Sequence, residues 1–295
     1  MALEIQYTTV ALDVAPAISI DLASNLSEGI RSLQEILGIN DMYAMSAGTL
    51  VNVYKSKVKG TLRKQPASGE TVPLTEVERT AVDAELSLDF YRKIVTAQAI
   101  QKAGRENALY DTDRALIGAI RKAIKGAFFT AIGAGTGTVT SQNTFQKQLA
   151  QAWGAVHTYF EDVDSEPVHF VNPADVANYL GTAQITTQNA FGFDYVEDFL
   201  GLGTVIFSGL VTSGTVISTA KANLRCAYVP ANGEVGTEFG MQSDESGLVG
   251  IVHKVNTSMA GIESLMMTGV KFYAEDLAGV FKGTIGGANN ENDAS

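Results

Sequence analysis

The sequence has one cysteine, Cys226, in 295 residues. A single thiol closes no internal disulfide, and no Cys/His spacing of a zinc site is present. That cysteine usage fits a reducing cytoplasm. The three histidines, His157, His169 and His253, are scattered without metal spacing. Basic residues are scarce: 21 Lys and Arg stand against 32 Asp and Glu, a net charge of -11. That balance argues against a general duplex-binding face and against docking on anionic lipid. No apolar run reaches 18 residues, so no membrane-spanning helix is predicted. The start, Met1 to Tyr7, lacks the basic and apolar regions of a secretory leader. There is no G-x-x-x-x-G-K-[ST] phosphate loop and no G-x-S-x-G nucleophile elbow.

What is present is an ordinary globular share of apolar residues, 45%, with only 18% charged. The usual charged share is about a quarter, so the composition fits a protein that buries surface against its own copies. The chain is long enough for a sizeable core.

Residues 1–20 read as extended. A helix is predicted over 21–37, because Leu22, Leu26, Ile30, Leu33 and Leu37 recur at helical spacing. Asp21 is its expected N-cap, and Gly38 stands at the C-terminal glycine position. The stripe either packs on its own domain, the commoner outcome, or forms an arm that docks on a neighbour.

Two alternating segments flank a polar, turn-rich stretch, 63–73. This predicts a long two-stranded hairpin over 42–95. An isolated ribbon is marginal in water, so it must lie on its own domain or on another subunit. A short helix over 96–108 and a long one over 111–132 follow, the latter capped by Asp111 with Asp113 favouring its first turn. Residues 92–125 hold eight basic and three acidic residues. Solvated charge is the plainer reading of that excess; a face meeting an acidic neighbour, a scaffold or DNA is the sharper one.

Gly133, Gly135 and Gly137 lack dinucleotide-site spacing and read as a helix stop or hinge. Helices at 142–159 and from Asn172 alternate with strands at 167–171, 204–208, 215–218 and 223–229. Residues 247–285 read as mostly strand. Residues 286–295 read as a polar tail. Asp162, Asp164 and Glu166 alternate as calcium ligands do, but Pro167 replaces the required glycine. His169 and Cys226 fall in apolar strands and read as core residues. No catalytic, cofactor or metal residues are assigned, and no enzyme activity is predicted.

The order of these parts resembles the Hong Kong 97-type major capsid protein of tailed phages. Residues 21–37 look like its arm helix, 51–90 like its extended loop, and 111–132 like its spine helix. Ile132-Gly-Ala-Gly-Thr-Gly resembles the glycine-rich stretch after the spine. Val168-His-Phe-Val-Asn-Pro-Ala-Asp-Val and Leu202-Gly-Thr-Val-Ile-Phe-Ser resemble strands of the axial domain. The resemblance implies an α+β fold with an N-terminal arm (1–41), extended loop (42–95), spine and peripheral domain (96–135), axial domain (136–231), peripheral return strands (232–285) and tail (286–295).

It implies a structural subunit assembling with itself into pentamers and hexamers around double-stranded DNA. The virion capsid would form in the host cytoplasm with a separate scaffolding protein and a portal. DNA contact is expected to be weak, and no membrane is expected. The implied inter-subunit residues are Val51, Val53, Lys55, Lys57, Lys59, Arg63, Lys64, Leu86 and Leu88 on the loop. Leu22, Leu26, Ile30, Leu33 and Leu37 would dock the arm, and Arg114, Arg121, Lys122 and Lys125 would form the spine's basic face. No isopeptide cross-link is expected. An encapsulin-like compartment shell and a tail-tube subunit are the alternatives.

Overall fold

The computed structural model describes residues 10–39, 42–46, 50–58, 77–161, 166–180 and 187–286. Helix α1 spans Val10–Ile36. It begins well before the expected 21, so Asp21 is interior and not its cap. Pro16 lies inside the helix, where it gives up one backbone hydrogen bond. The end is as expected: Gly38 adopts φ 67°, and its N–H donates to Glu35 O at 2.9 Å.

Strand β1 (Met42–Ala44) leads to β2 (Leu50–Val58) and β3 (Val77–Glu85). Next come β4 (Asp89–Thr96) and α2 (Ala97–Ala103), which Thr96 caps. The expected hairpin is therefore cut short. The irregular residues 86–88 separate β3 from β4, and β4 joins a different sheet. Helix α3 covers Arg105–Gly133, about 43 Å at 1.5 Å per residue. It starts after the break at Gly104, so Asp111 is interior and caps nothing.

Strand β5 (Gly137–Thr138) and α4 (Phe145–Tyr159) follow, then β6 (Pro167–Val171) and α5 (Pro173–Leu180). Asn172 Oδ1 accepts the Ala174 N–H at 2.9 Å and so starts α5. Five strands come next: β7 (Gln188–Ala190), β8 (Phe193–Val196), β9 (Thr204–Phe207), β10 (Thr215–Ala220) and β11 (Leu224–Tyr228). Helix α6 (Glu234–Phe239) precedes β12 (Gln242–Ser243), β13 (Val249–Asn256), β14 (Gly261–Thr268), β15 (Val270–Ala274) and β16 (Phe281–Thr284).

Four sheets result. Seven strands order as β5-β16-β10-β6-β9-β8-β7, four as β12-β13-β14-β4, three as β1-β11-β15, and two as β2-β3. Strands β6 and β9 are parallel and buried throughout, which their continuous apolar runs require. Alternation splits their side chains between two cores. Val168, Phe170 and Ile206 face α3, whose Phe128 and Phe129 meet Phe170 edge-on at 5.4 and 5.7 Å. Val171, Val205 and Phe207 pack with Phe145 and Leu149 of α4. The large sheet is thus covered on both faces. Segment 232–285 supplies strands to three different sheets, and β16 returns to the largest.

Helix α3 stops at Gly133, as expected, and the glycines that follow meet a packing constraint. A Cβ on Gly135 would lie 2.6 Å from Val280 Cβ, and one on Gly137 would lie 2.8 Å from Phe281 Cδ1. Close approach of β5 to the β16 segment is what requires them.

Candidate assembly surfaces

Strands β2 and β3 pair in antiparallel register from Leu50 opposite Glu85 to Val58 opposite Val77. Nine residues at about 3.3 Å each give a ribbon of about 30 Å. Neither strand pairs with any other strand among the described residues. Val51, Val53, Lys55 and Lys57 lie on β2, but their side chains fall outside the described residues, as do Lys59, Arg63 and Lys64 entirely.

The root of the ribbon is well defined. Leu86 is buried with Ala227, Val229 and Tyr273, and Met45 and Leu88 pack against this cluster. Leu86 therefore anchors the ribbon to its own chain and is not available to a neighbour, against the expectation. Leu88 is half-buried beside it. The cluster spans the β1-β11-β15 sheet, so the ribbon leaves from a rigid base.

The expected arm contacts are also corrected. Leu26, Ile30, Leu33 and Leu37 are fully buried in the chain's main core, and Leu22 lies outside the described side chains. The same core holds Val249 and Ile251 of β13 and Ile117, Ile120 and Ile124 of α3. Each such side chain contributes about 1.5–3 kcal/mol when buried. The α1 stripe is consumed within its own subunit.

The basic residues of α3 divide. Arg114 and Lys122 are exposed. Arg121 Nη2 donates to Asn25 O of α1 at 3.0 Å, and its guanidinium lies 5.7 Å from the Phe191 ring centre. Lys125 Nζ donates to Gly192 O at 3.0 Å and sits 4.1 Å over the Phe193 ring. Partial burial, with Arg121 adjacent, pulls the Lys125 ammonium below its ordinary pKa. Half of the expected basic face thus clamps α1 and the β7–β8 turn onto α3, and only the other half is solvated.

Asp113 was expected to complement the helix dipole in a first turn. It instead sits two turns in and fully buried, with Lys93 Nζ of β4 at 2.7 Å and His253 Nε2 of β13 at 3.1 Å. Lys93 also bonds Thr112 Oγ1. Desolvation lowers the pKa of His253, with the Asp113 charge opposing. This ion cluster pins α3 to the four-stranded sheet. Sequence reasoning missed it, although a signal existed: Asp113 continues the stripe of Ile117, Ile120 and Ile124 at four-, three- and four-residue steps.

His169 is a core histidine, as expected. Its ring nitrogens meet Ser218 Oγ at 2.7 Å and Leu202 O at 3.0 Å, and burial lowers its pKa to about 4. Cys226 is buried, which raises its thiol pKa. Glu166 pairs with Lys221, and Asp162 and Asp164 lie outside the described residues. Among the described residues there is no group of three or more His, Cys, Asp or Glu that could hold a metal, and no helix is long and apolar enough to cross a membrane.

Large apolar side chains are exposed at separate places. Val255 and Met259 flank the β13–β14 turn at 72% and 58% exposure. Phe90 and Phe239 form an exposed ring pair at 6.0 Å. Leu200 stands on a loop with φ 54°. Phe90 belongs to the alternating segment read from the sequence, whereas Phe239, Met259 and Leu200 lie outside any stripe.

No protein-family model matches the chain, and no curated protein matches it in sequence. Solved structures do. The chain is similar to the holo-SrpI encapsulin complex from Synechococcus elongatus PCC 7942, with 11% identity, TM-score 0.57 and coverage of 89% of this chain and 91% of that one. It is similar to a chain of Gordonia phage Cozz at 13% identity and TM-score 0.54, covering 85% and 86%. It is also similar to the capsid of an empty GTA particle at 10% identity and TM-score 0.52, covering 86% and 89%. The fold is the α+β Hong Kong 97-type fold of capsid and encapsulin shells.

Proposed function

We propose that the chain is the major capsid subunit of a tailed phage. It self-assembles into pentamers and hexamers of an icosahedral-type shell around double-stranded DNA. The observation that carries this reading is the β2–β3 ribbon. It springs from a buried root, extends about 30 Å, and pairs with no other strand among the described residues. Such a ribbon gains stability by lying on another subunit. Many modest contacts of this kind act together in a closed shell. The exposed Val255, Met259, Phe90 and Phe239 supply further apolar area for copies of the same chain. A separate scaffolding protein and a portal are the expected helpers, and the virion capsid would form in the host cytoplasm. The net charge of -11 keeps DNA contact weak.

An encapsulin-like compartment is the second reading, favoured by the coverage of the Synechococcus encapsulin chain. Expression of the full chain with and without a scaffold, followed by sedimentation and negative-stain microscopy, tests assembly. Closed polyhedral shells support a shell subunit; helical tubes, or a monomer that ignores scaffold, contradict it. Nuclease-protected DNA inside the native particles supports the capsid, and enclosed protein cargo supports the compartment.

A further inference from the structure

The exposed side of α3 borders a cleft of about 530 Å3, closed by the β7–β8 turn and the loop after β9. Arg121, Lys122 and Lys125 line it from the helix, and Asp194 and Ser208 from opposite walls. No ion pair joins any of the three cations to a carboxylate among the described residues. Asp194 Oδ1 is occupied by Asn189 Nδ2 at 2.8 Å. Three cations therefore face one carboxylate in an acidic protein, a surplus of two positive charges.

The donors are not exhausted either. Lys125 spends one of its three on Gly192 O. Arg121 spends Nη2 on Asn25 O, while its Nε is buried without a hydrogen-bond partner among the described residues. A buried donor left unpaired is costly, and an anion in the cleft would relieve the charge surplus beside it. The helix wall is open beside Gly118, where a Cβ would meet nothing within 4 Å. The two flanking rings, Phe191 and Phe193, are buried and covered by the cations, so no base-stacking face is offered.

We propose that this cleft is a binding site for a phosphate group, held by Lys122, Lys125 and Arg121. One inorganic phosphate dianion, or two adjacent backbone phosphodiesters of one charge each, matches the surplus of two charges, whereas a single carboxylate does not. The group comes either from free phosphate or from the backbone of enclosed nucleic acid. The inference does not depend on shell formation, because it is measured on the unassembled full-length subunit.

The test is calorimetric titration of inorganic phosphate at ionic strength fixed with chloride, with acetate as the control anion. Saturable binding of one phosphate per chain is expected. Lys122→Gln, at an exposed position that leaves the fold intact, should weaken it about tenfold, and Lys125→Gln at least as much. A short DNA duplex that displaces the bound phosphate assigns the site to backbone phosphates. A duplex that leaves it bound assigns it to the free ion. Phosphate behaving like acetate, or binding unchanged in Lys122→Gln, overturns the proposal.

Discussion

Helix α1 and the β2–β3 ribbon differ in what their own chain shows packed against them among the described residues. The α1 stripe meets β13 and α3, and Leu26, Ile30, Leu33 and Leu37 are fully buried. The ribbon is held at its root by Leu86 and pairs only with itself among the described residues. The lesson concerns ownership. A periodic apolar face states that something must cover it; whether the cover comes from the same subunit or from another depends on where the rest of the chain runs. Here the helix acts within its subunit, and the proposal gives the ribbon to a neighbour.

Substitutions on the helix side should therefore cost subunit stability. Leu33→Ala should lower the unfolding free energy by about 4 kcal/mol, measured by denaturant unfolding of the unassembled subunit. A loss under about 1 kcal/mol would return α1 to the role of a docking arm.

Acid should weaken the seven-stranded sheet next. The folded pKa of His169, about 4, lies below its ordinary 6.5. Its contribution is therefore fully present above pH 6.5 and is lost as pH falls from 6.5 through 4, up to about 3 kcal/mol. His253 is shifted in the same direction and adds to the loss. Denaturation midpoints at stepped pH should show the decline, and His169→Gln should flatten much of it. A midpoint independent of pH over that window contradicts the buried neutral imidazole.

A smaller effect is expected where the two regions meet. Leu86→Ala empties a satellite cluster and not the main core, so about 2 kcal/mol should be lost. Amide exchange should then rise in β2 and β3 more than in α1. Equal loosening of both would mean that the ribbon has no separate root.

Much of the architecture was legible where the signal is local. The run Pro167–Val171 is a strand because only a doubly covered strand tolerates unbroken burial, and Asn172-Pro173 starts a helix by its own side chain. Gly38 ended α1 as its position implied. The starts of α1 and α3 were not legible, because Asp21 and Asp111 are good caps that the longer helices simply run through. Strand β4 was merged into the hairpin because residues 86–88 break the pairing without turn chemistry.

The surfaces were harder. Asp113 finds its partners 20 residues earlier and 140 later, so its burial depends on packing that no local window contains. The basic excess on α3 was visible, but its division into clamp and solvated halves depends on where Asn25 and Gly192 come to lie.

The central claim is that the ribbon works between subunits while α1 works within one. Deleting residues 63–72 and following both unfolding and assembly tests it most directly. The account predicts an unfolding free energy within about 0.5 kcal/mol of the parent, together with loss of closed shells by negative-stain microscopy. Normal shells from the deleted chain would contradict it.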